Sequence, residues 1–422
     1  MKEEEDVVIV GAGIAGLATA VALKRVGIRA LVLERADGLR ASGASLSLYP
    51  NAWVCLDALG VARKLINLYA PCRRVAITNV DTGAAQEFSF TKAFNYRSGA
   101  VLRVVHRKTV MEALAEELPI DTIRFSSNIT SIRIQAQESS SNNGTLIELE
   151  NGTSVKAKAL IGCDGVNSVV AARCLGLAAP VNSGRWAVRG LSIFPQGHGL
   201  NQDFQQFITA GKRAGFVPLN ERELYWFLTG KIDTAKGKGM ERDPELIQRK
   251  VIENFATDLP PLFTAIVQHS DLSTLTWAPL MYRSPWDMIF GNVYKGNVTV
   301  AGDAMHPMTP DLGQNECAAL EDAVVLGQQL GELIARSTSL VSAEVAKAFG
   351  RYAERRKWRA AGLITISYLS GWVQLAGSGR LMKFLRDVLF YKLLYSRVLS
   401  VTYYDCGRLP FVNSGSGSED LD

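Results

Sequence analysis

The chain contains no C-x-x-C pair. Its six cysteines, at 55, 72, 163, 174, 317 and 406, show no metal-ligand spacing. That argues against a zinc site and a disulfide framework. Cysteines scattered in this way are expected to be free, buried thiols of an intracellular chain. A strong charge of one sign is also missing: 46 Lys and Arg stand against 41 Asp and Glu, a formal +5. This gives no case for nucleic acid, though a mild attraction for anionic ligands is compatible with it. Internal repeats and low-complexity arrays are lacking. The acidic start, Met1-Lys2-Glu3-Glu4-Glu5-Asp6, has none of the features of a signal or transit peptide, so a cytoplasmic chain is expected. The longest run without charge is Ala360 to Gly379, and it holds four glycines with Ser, Thr and Gln. It predicts packed helices with a break at Gly377-Ser378-Gly379 and no transmembrane span, with peripheral membrane contact as the lesser alternative. The polar end, 411–422, predicts a disordered tail.

What is present begins at once. Val7-Val8-Ile9-Val10 reads as a buried parallel strand. Gly11, Gly13 and Gly16 follow in G-x-G-x-x-G spacing. Gly11 permits a tight turn, Gly13 lets backbone approach a pyrophosphate, and Gly16 lets helix and strand pack closely. A second strand, Ala30 to Leu33, ends in Glu34, where a carboxylate binds a ribose hydroxyl. The strand, turn, helix and acid together point to a dinucleotide.

Further along, Asn51 to Leu59 reads as a helix ended by Gly60. Arg74 to Val80 looks like a hairpin turning at Asp81-Thr82-Gly83. Helical spacing returns from Lys108 to Leu118, then strands over 129–134 and 145–149. Residues 185–280 carry many aromatics in short alternating strands, a plausible roof for a substrate pocket. Two more apolar strands end in turns, at Cys163-Asp164-Gly165 and at Gly302-Asp303. From Asn315 onward the chain reads as helical. Local chemistry offers each motif a plainer role: Asp-Gly favours turns, His306 has no nucleophile or metal partners near it in sequence, and Cys163 and Cys317 suit packing.

The three fingerprints, with Pro50-Asn51-Ala52, Met308 to Gln314 and Tyr404-Asp405-Cys406-Gly407, resemble the group A FAD-dependent aromatic hydroxylases. The resemblance covers Asp6 to about Gly407 and is nearest the plant monooxygenase-1 and zeaxanthin-epoxidase-like branch. It implies an α/β fold: a Rossmann-like FAD-binding domain (1–74, 100–180 and 285–345), an inserted mixed β-sheet substrate domain (75–99 and 181–284) and C-terminal helices (346–410). It further implies FAD, with NADPH or NADH as co-substrate, O2 and a small aromatic substrate of plant specialised metabolism, in a monomer or homodimer. Gly11, Gly13, Ala15 and Gly16 would hold the FAD pyrophosphate, Glu34 the ribose, and Arg35 and Ile129 the adenine side. Arg107, and more weakly Arg103, would lie near the pyrophosphate and ribityl chain. Asp164 and Gly165 match the motif linked to FAD and NAD(P)H. Gly302 and Asp303 would hold the ribityl hydroxyls, and Pro310, Leu312, Gly313 and Gln314 would pass the isoalloxazine ring. Oxygen would reach substrate through a flavin C4a-hydroperoxide, with no metal and no nucleophilic triad.

One place departs from the family. Two glycines usually follow Leu312-Gly313-Gln314; here Asn315 and Glu316 stand instead. Asn315 suits a helix N-cap and Glu316 a first helical turn. Alternatively their side chains crowd the ring, and the Glu316 charge lowers the flavin potential. Three readings therefore stay open: a monooxygenase acting by hydroxylation or epoxidation, an FAD-dependent oxidation or cyclisation without oxygen insertion, and an FAD-binding pseudoenzyme.

Overall fold

The computed structural model describes residues 2–39, 44–90, 101–135, 144–231, 243–337, 340–375, 379 and 384–410. The expected tail 411–422 and the Gly377-Ser378 part of the expected helix break lie outside these residues. The strand Lys2–Val10 sits mid-sheet, parallel to Ala30–Leu33 on one side and to Ser154–Gly162 on the other. Val298–Val300 and Ile123–Arg124 extend the parallel set at either edge. Val7, Val8 and Ile9 are fully buried, which accounts for an apolar run rather than an alternating one. The strands Ile129–Gln135 and Gly144–Leu149 form an antiparallel flap on the lower half of Ser154–Gly162.

The first helix, Ile14–Arg25, packs on the helix Asn315–Arg336, the two brought together by small residues. A Cβ on Gly327 would stand 2.9 Å from that of Ala22. The aromatic middle of the chain forms a separate seven-stranded sheet in the order Thr276–Tyr282, Val181–Ile193, Glu223–Lys231, Lys212–Pro218, Phe204–Thr209, Arg74–Asn79, Ala85–Ser89. The expected hairpin is thus recruited to this sheet through one parallel pairing with Phe204–Thr209. Trp186, Phe216, Trp226 and Phe263 build a second core beneath it. The fold is the expected α/β architecture with a mixed-sheet insertion and C-terminal helices. The long helix Ser342–Gln374 stops just short of the expected glycine break.

The opening glycines do what their spacing demands. Gly11 adopts φ +101°, and a Cβ there would lie 2.6 Å from the Cys163 carbonyl oxygen. A Cβ on Gly16 would lie 1.9 Å from the Gly11 oxygen, whereas one on Gly13 would meet nothing within 4 Å. Gly16→Ala is therefore expected to lower apoprotein stability by about 1–3 kcal/mol through overpacking. Gly13→Ala should cost less, and urea denaturation of the two variants checks the order.

Candidate functional site: a strip at the strand ends facing a roofed cavity

Open α/β sheets bind ligands beyond the carboxyl ends of their strands. Here those ends carry the glycine turn, Glu34, Asp164 and Asp303. The Glu34 carboxylate accepts from the backbone N–H of Ala12 (2.8 Å) and of Ala36 (2.9 Å), so it ties the glycine turn to the second strand. Arg35 is exposed beside it. Ser127 donates its backbone N–H to the Glu34 carbonyl, which places half-buried Ile129 near the same edge. A Cβ on Gly302 would stand 2.8 Å from the Cβ of Ala15, so the third fingerprint touches the first.

Asp164 is turned back on its own loop. It accepts from Ser168 Oγ (2.5 Å) and from the Val169 N–H (2.6 Å), capping the short helix Val169–Arg173. Its carboxylate thus holds the loop that carries Gly165 against the start of that helix. Arg103 is also engaged elsewhere: its Nε donates to the Tyr69 carbonyl at 3.1 Å, and its guanidinium lies over Trp53. The structure does not bring it to the strip.

A cavity of about 440 Å³ opens between the strip and the second sheet. Its floor includes Arg107, Asp303, Pro310, Leu312, Gly313, Asn315 and Glu316, and its roof includes Arg189, Arg213, Tyr225 and Phe227. Asn315 corrects an expectation. The N-cap position of the helix Asn315–Arg336 belongs to Gln314, and no side chain caps there. Asn315 instead donates through Nδ2 to the Met308 carbonyl at 2.7 Å, with Asp303 Oδ1 at 3.5 Å. It braces the preceding loop because that loop folds back over the first turn. Glu316 does occupy the first turn, paired with Arg107 at 2.8 Å. Burial pushes the Asp303 carboxyl above its ordinary range, and the Glu316 charge adds to this.

A family model described as "FAD binding domain" matches residues 4–356. The chain belongs to this FAD-binding family of flavin-dependent monooxygenases. It is 39% identical to Monooxygenase 2 of Arabidopsis thaliana over 421 residues, covering 97% of this chain and all of the relative. It is 36% identical to Monooxygenase 1 of the same plant, covering 96% of this chain and again the whole relative. Klebsiella pneumoniae HpxO, solved with FAD and uric acid, shares the fold with a TM-score of 0.80 at 24% identity, over 94% of this chain and 96% of that one.

The flavoprotein's residues fit that cofactor. Arg107 Nε and Ser45 Oγ are buried against the cavity with no hydrogen-bond partner among the described residues. Half-buried Asp303 lines the same space, and a Cβ on Gly13 would meet nothing within 4 Å.

Sequence reading missed most of the roof and its support. Arg189 and Arg213 interrupt otherwise apolar strands, a signal that alternation could have flagged. Arg213 is buried with its Nε unpartnered, and its guanidinium lies 5.2 Å from the Phe227 ring centroid. Arg185 grips buried Asp311 through two hydrogen bonds, 3.0 and 2.9 Å. Beneath the strip, Arg356 donates to Glu321 and to Asp322, each at 2.6 Å, all three fully buried. Asp322 also accepts from the Gly302 N–H (2.9 Å) and pairs with His306 (2.6 Å), which makes His306 structural. Asn51 bridges Glu321 to Gln314. Nothing in the local sequence announces this network, because its members are 251 to 305 positions from Asn51.

Removing one member of a buried ion pair leaves its partner uncompensated. Arg356→Met is expected to cost about 3–5 kcal/mol in urea unfolding. Burial pushes the Asp322 carboxyl up, but His306 and Arg356 outweigh it and hold it down at about 2. Its contribution is present above the ordinary value of 3.8 and is lost as pH falls toward 2. Burial opposes the His306 charge, yet Asp322 raises its pKa. That contribution is complete below the ordinary 6.5 and is lost as pH rises through the raised value. Stability measured against pH should therefore fall on both sides, and Asp322→Asn should flatten both limbs.

Proposed function

We propose that the flavoprotein uses NADPH or NADH and O2 to insert one oxygen atom, by hydroxylation or epoxidation, into a small aromatic or polyketide-like metabolite. The observation that carries this reading is the single cavity joining the Asp303–Glu316 strip to an aromatic, arginine-bearing roof. On this reading residues 1–74, 100–180 and 285–345 bind FAD, and 75–99 with 181–284 bind substrate. Gly11, Gly13, Ala15 and Gly16 offer a helix N-terminus and open backbone to the pyrophosphate. Glu34, Arg35 and Ile129 hold the adenosine end, with Asp164 and Gly165 shaping the loop between the two ends. Gly302 and Asp303 take the ribityl hydroxyls, and Pro310, Leu312, Gly313, Gln314 and Asn315 border the ring. FAD, when bound, supplies two-electron redox chemistry with NAD(P)H and O2.

The chain's own residues supply binding and exclusion of water. Phe204, Tyr225 and Phe227 offer ring faces in the roof, and Leu280, Phe390 and Leu399 are apolar walls. Arg185 and Arg213 share the one carboxylate of Asp311, at 2.9 and 3.7 Å, and Arg189 adds a further charge, so this roof is left positive. That balance favours a substrate bearing a carboxylate, enolate or phenolate. Arg107 lies where an anion would sit, yet Glu316 holds it. The ion pair offsets the Glu316 charge, so the observation behind a non-oxygenating reaction loses weight, and oxygen insertion is the reading kept.

Glu316→Gly frees Arg107 and should tighten FAD binding about fivefold, the worth of one half-exposed ion pair, whereas Arg107→Ala should weaken it. FAD fluorescence titration reads both, and equal affinities in the two variants would remove Arg107 from the cofactor site. Incubation with ¹⁸O2 and an aromatic panel should place one labelled oxygen in the product. Arg213→Met should raise KM for anionic substrates about tenfold and spare neutral ones. NAD(P)H-dependent product without label would establish the non-oxygenating alternative.

A further inference from the structure

The second half of the long helix Ser342–Gln374 shows an unusual outward face. Trp358, Thr365, Leu369 and Trp372 recur at spacings of seven, four and three, which places them on one stripe. They point to solvent: Trp358 is 62% exposed, and Leu369 and Trp372 are each 51% exposed. From Ala360 to Gln374 the sequence carries no charge at all, whereas a helix face in water ordinarily carries several. Arg359, just before this stretch, is turned inward to Glu321.

The π-helical turn Leu385–Leu394 packs against the same helix and also presents apolar side chains to solvent. Leu389, Leu393 and Leu394 are exposed there, with Phe384 immediately before them. Lys392 and Arg397 stand exposed among these residues, and Asp387 is the one acid in the sequence from 384 to 404.

We propose that this face seats on the surface of a bilayer containing anionic phospholipid. Apolar side chains and tryptophan on one face, with lysine and arginine beside them, form the pattern of a segment lying in the membrane interface. Among the described residues no helix is long and apolar enough to cross a membrane, so the contact is peripheral. A second copy of the chain suits the face less well. A symmetric interface would bury Lys392 against a like surface, and lysine is depleted from interface cores. The inner side of the same segment lines the cavity through Phe390, Tyr395, Val398 and Leu399. Seating would therefore bring a cavity wall to the lipid surface. The membrane contact itself does not depend on which substrate the cavity takes.

The test is flotation of the full-length, FAD-loaded protein with vesicles of phosphatidylcholine alone or mixed with phosphatidylglycerol. The protein should float with the mixed vesicles, less with phosphatidylcholine alone, and less at high salt. Leu393→Asp and Trp372→Asp should each reduce the bound fraction about tenfold. Lys392→Glu should remove the preference for anionic lipid. Circular dichroism melting and FAD content verify that each variant is folded. Wild-type protein that floats with neither vesicle overturns the proposal. So does a solution dimer that Leu393→Asp converts to monomer, because a second copy would then be the occupant.

Discussion

Arg356 is held between Glu321 and Asp322 in the interior, and much of the site depends on that arrangement. Asp322 receives the Gly302 N–H and thereby sets the turn that presents Asp303 to the cavity. Glu321 receives Asn51, which in turn holds Gln314 before the helix Asn315–Arg336. Three segments from distant parts of the chain are thus fixed against one guanidinium. A buried charge network is weak evidence for stability as such. Its value here is geometric: each charge is satisfied in only one arrangement, and that arrangement positions the strip.

The cavity draws its character from two sheets of different chemistry. The parallel sheet contributes backbone turns and the half-buried Asp303 at its strand ends. The second sheet contributes aromatic faces and arginines. Charges are paired locally, with Asp311 shared by Arg185 and Arg213 and Glu316 answering Arg107. That leaves the roof positive while the chain as a whole is nearly balanced. The same elements that close the cavity from the C-terminal side turn apolar side chains outward, with Lys392 and Arg397 among them, so the wall of the site and the proposed membrane face are two sides of one segment.

Local pattern read well wherever the physics is local. The apolar run before Gly11, the close approach at Gly16 and the acid at the end of the second strand are constraints of one strand–turn–helix unit, and they appear where their spacing puts them. The aromatic sheet was legible for the same reason, since alternation along a strand reports a half-buried surface. Asn315 was misread because its partner is a carbonyl in a loop that folds back over the helix start, which sequence neighbours do not reveal. Asp164 and Arg103 match family positions, yet their side chains are held by Ser168 and by Tyr69.

The sequence by itself determined the fold class, the order of the dinucleotide fingerprints and the places where backbone must pass close to backbone. Those follow from short-range sterics and from the periods of helix and strand. Only the tertiary structure decided which charges neutralise one another, which arginines face the cavity and which apolar residues remain in water. Such pairings depend on side chains brought together across hundreds of positions, where residue spacing carries no information about distance.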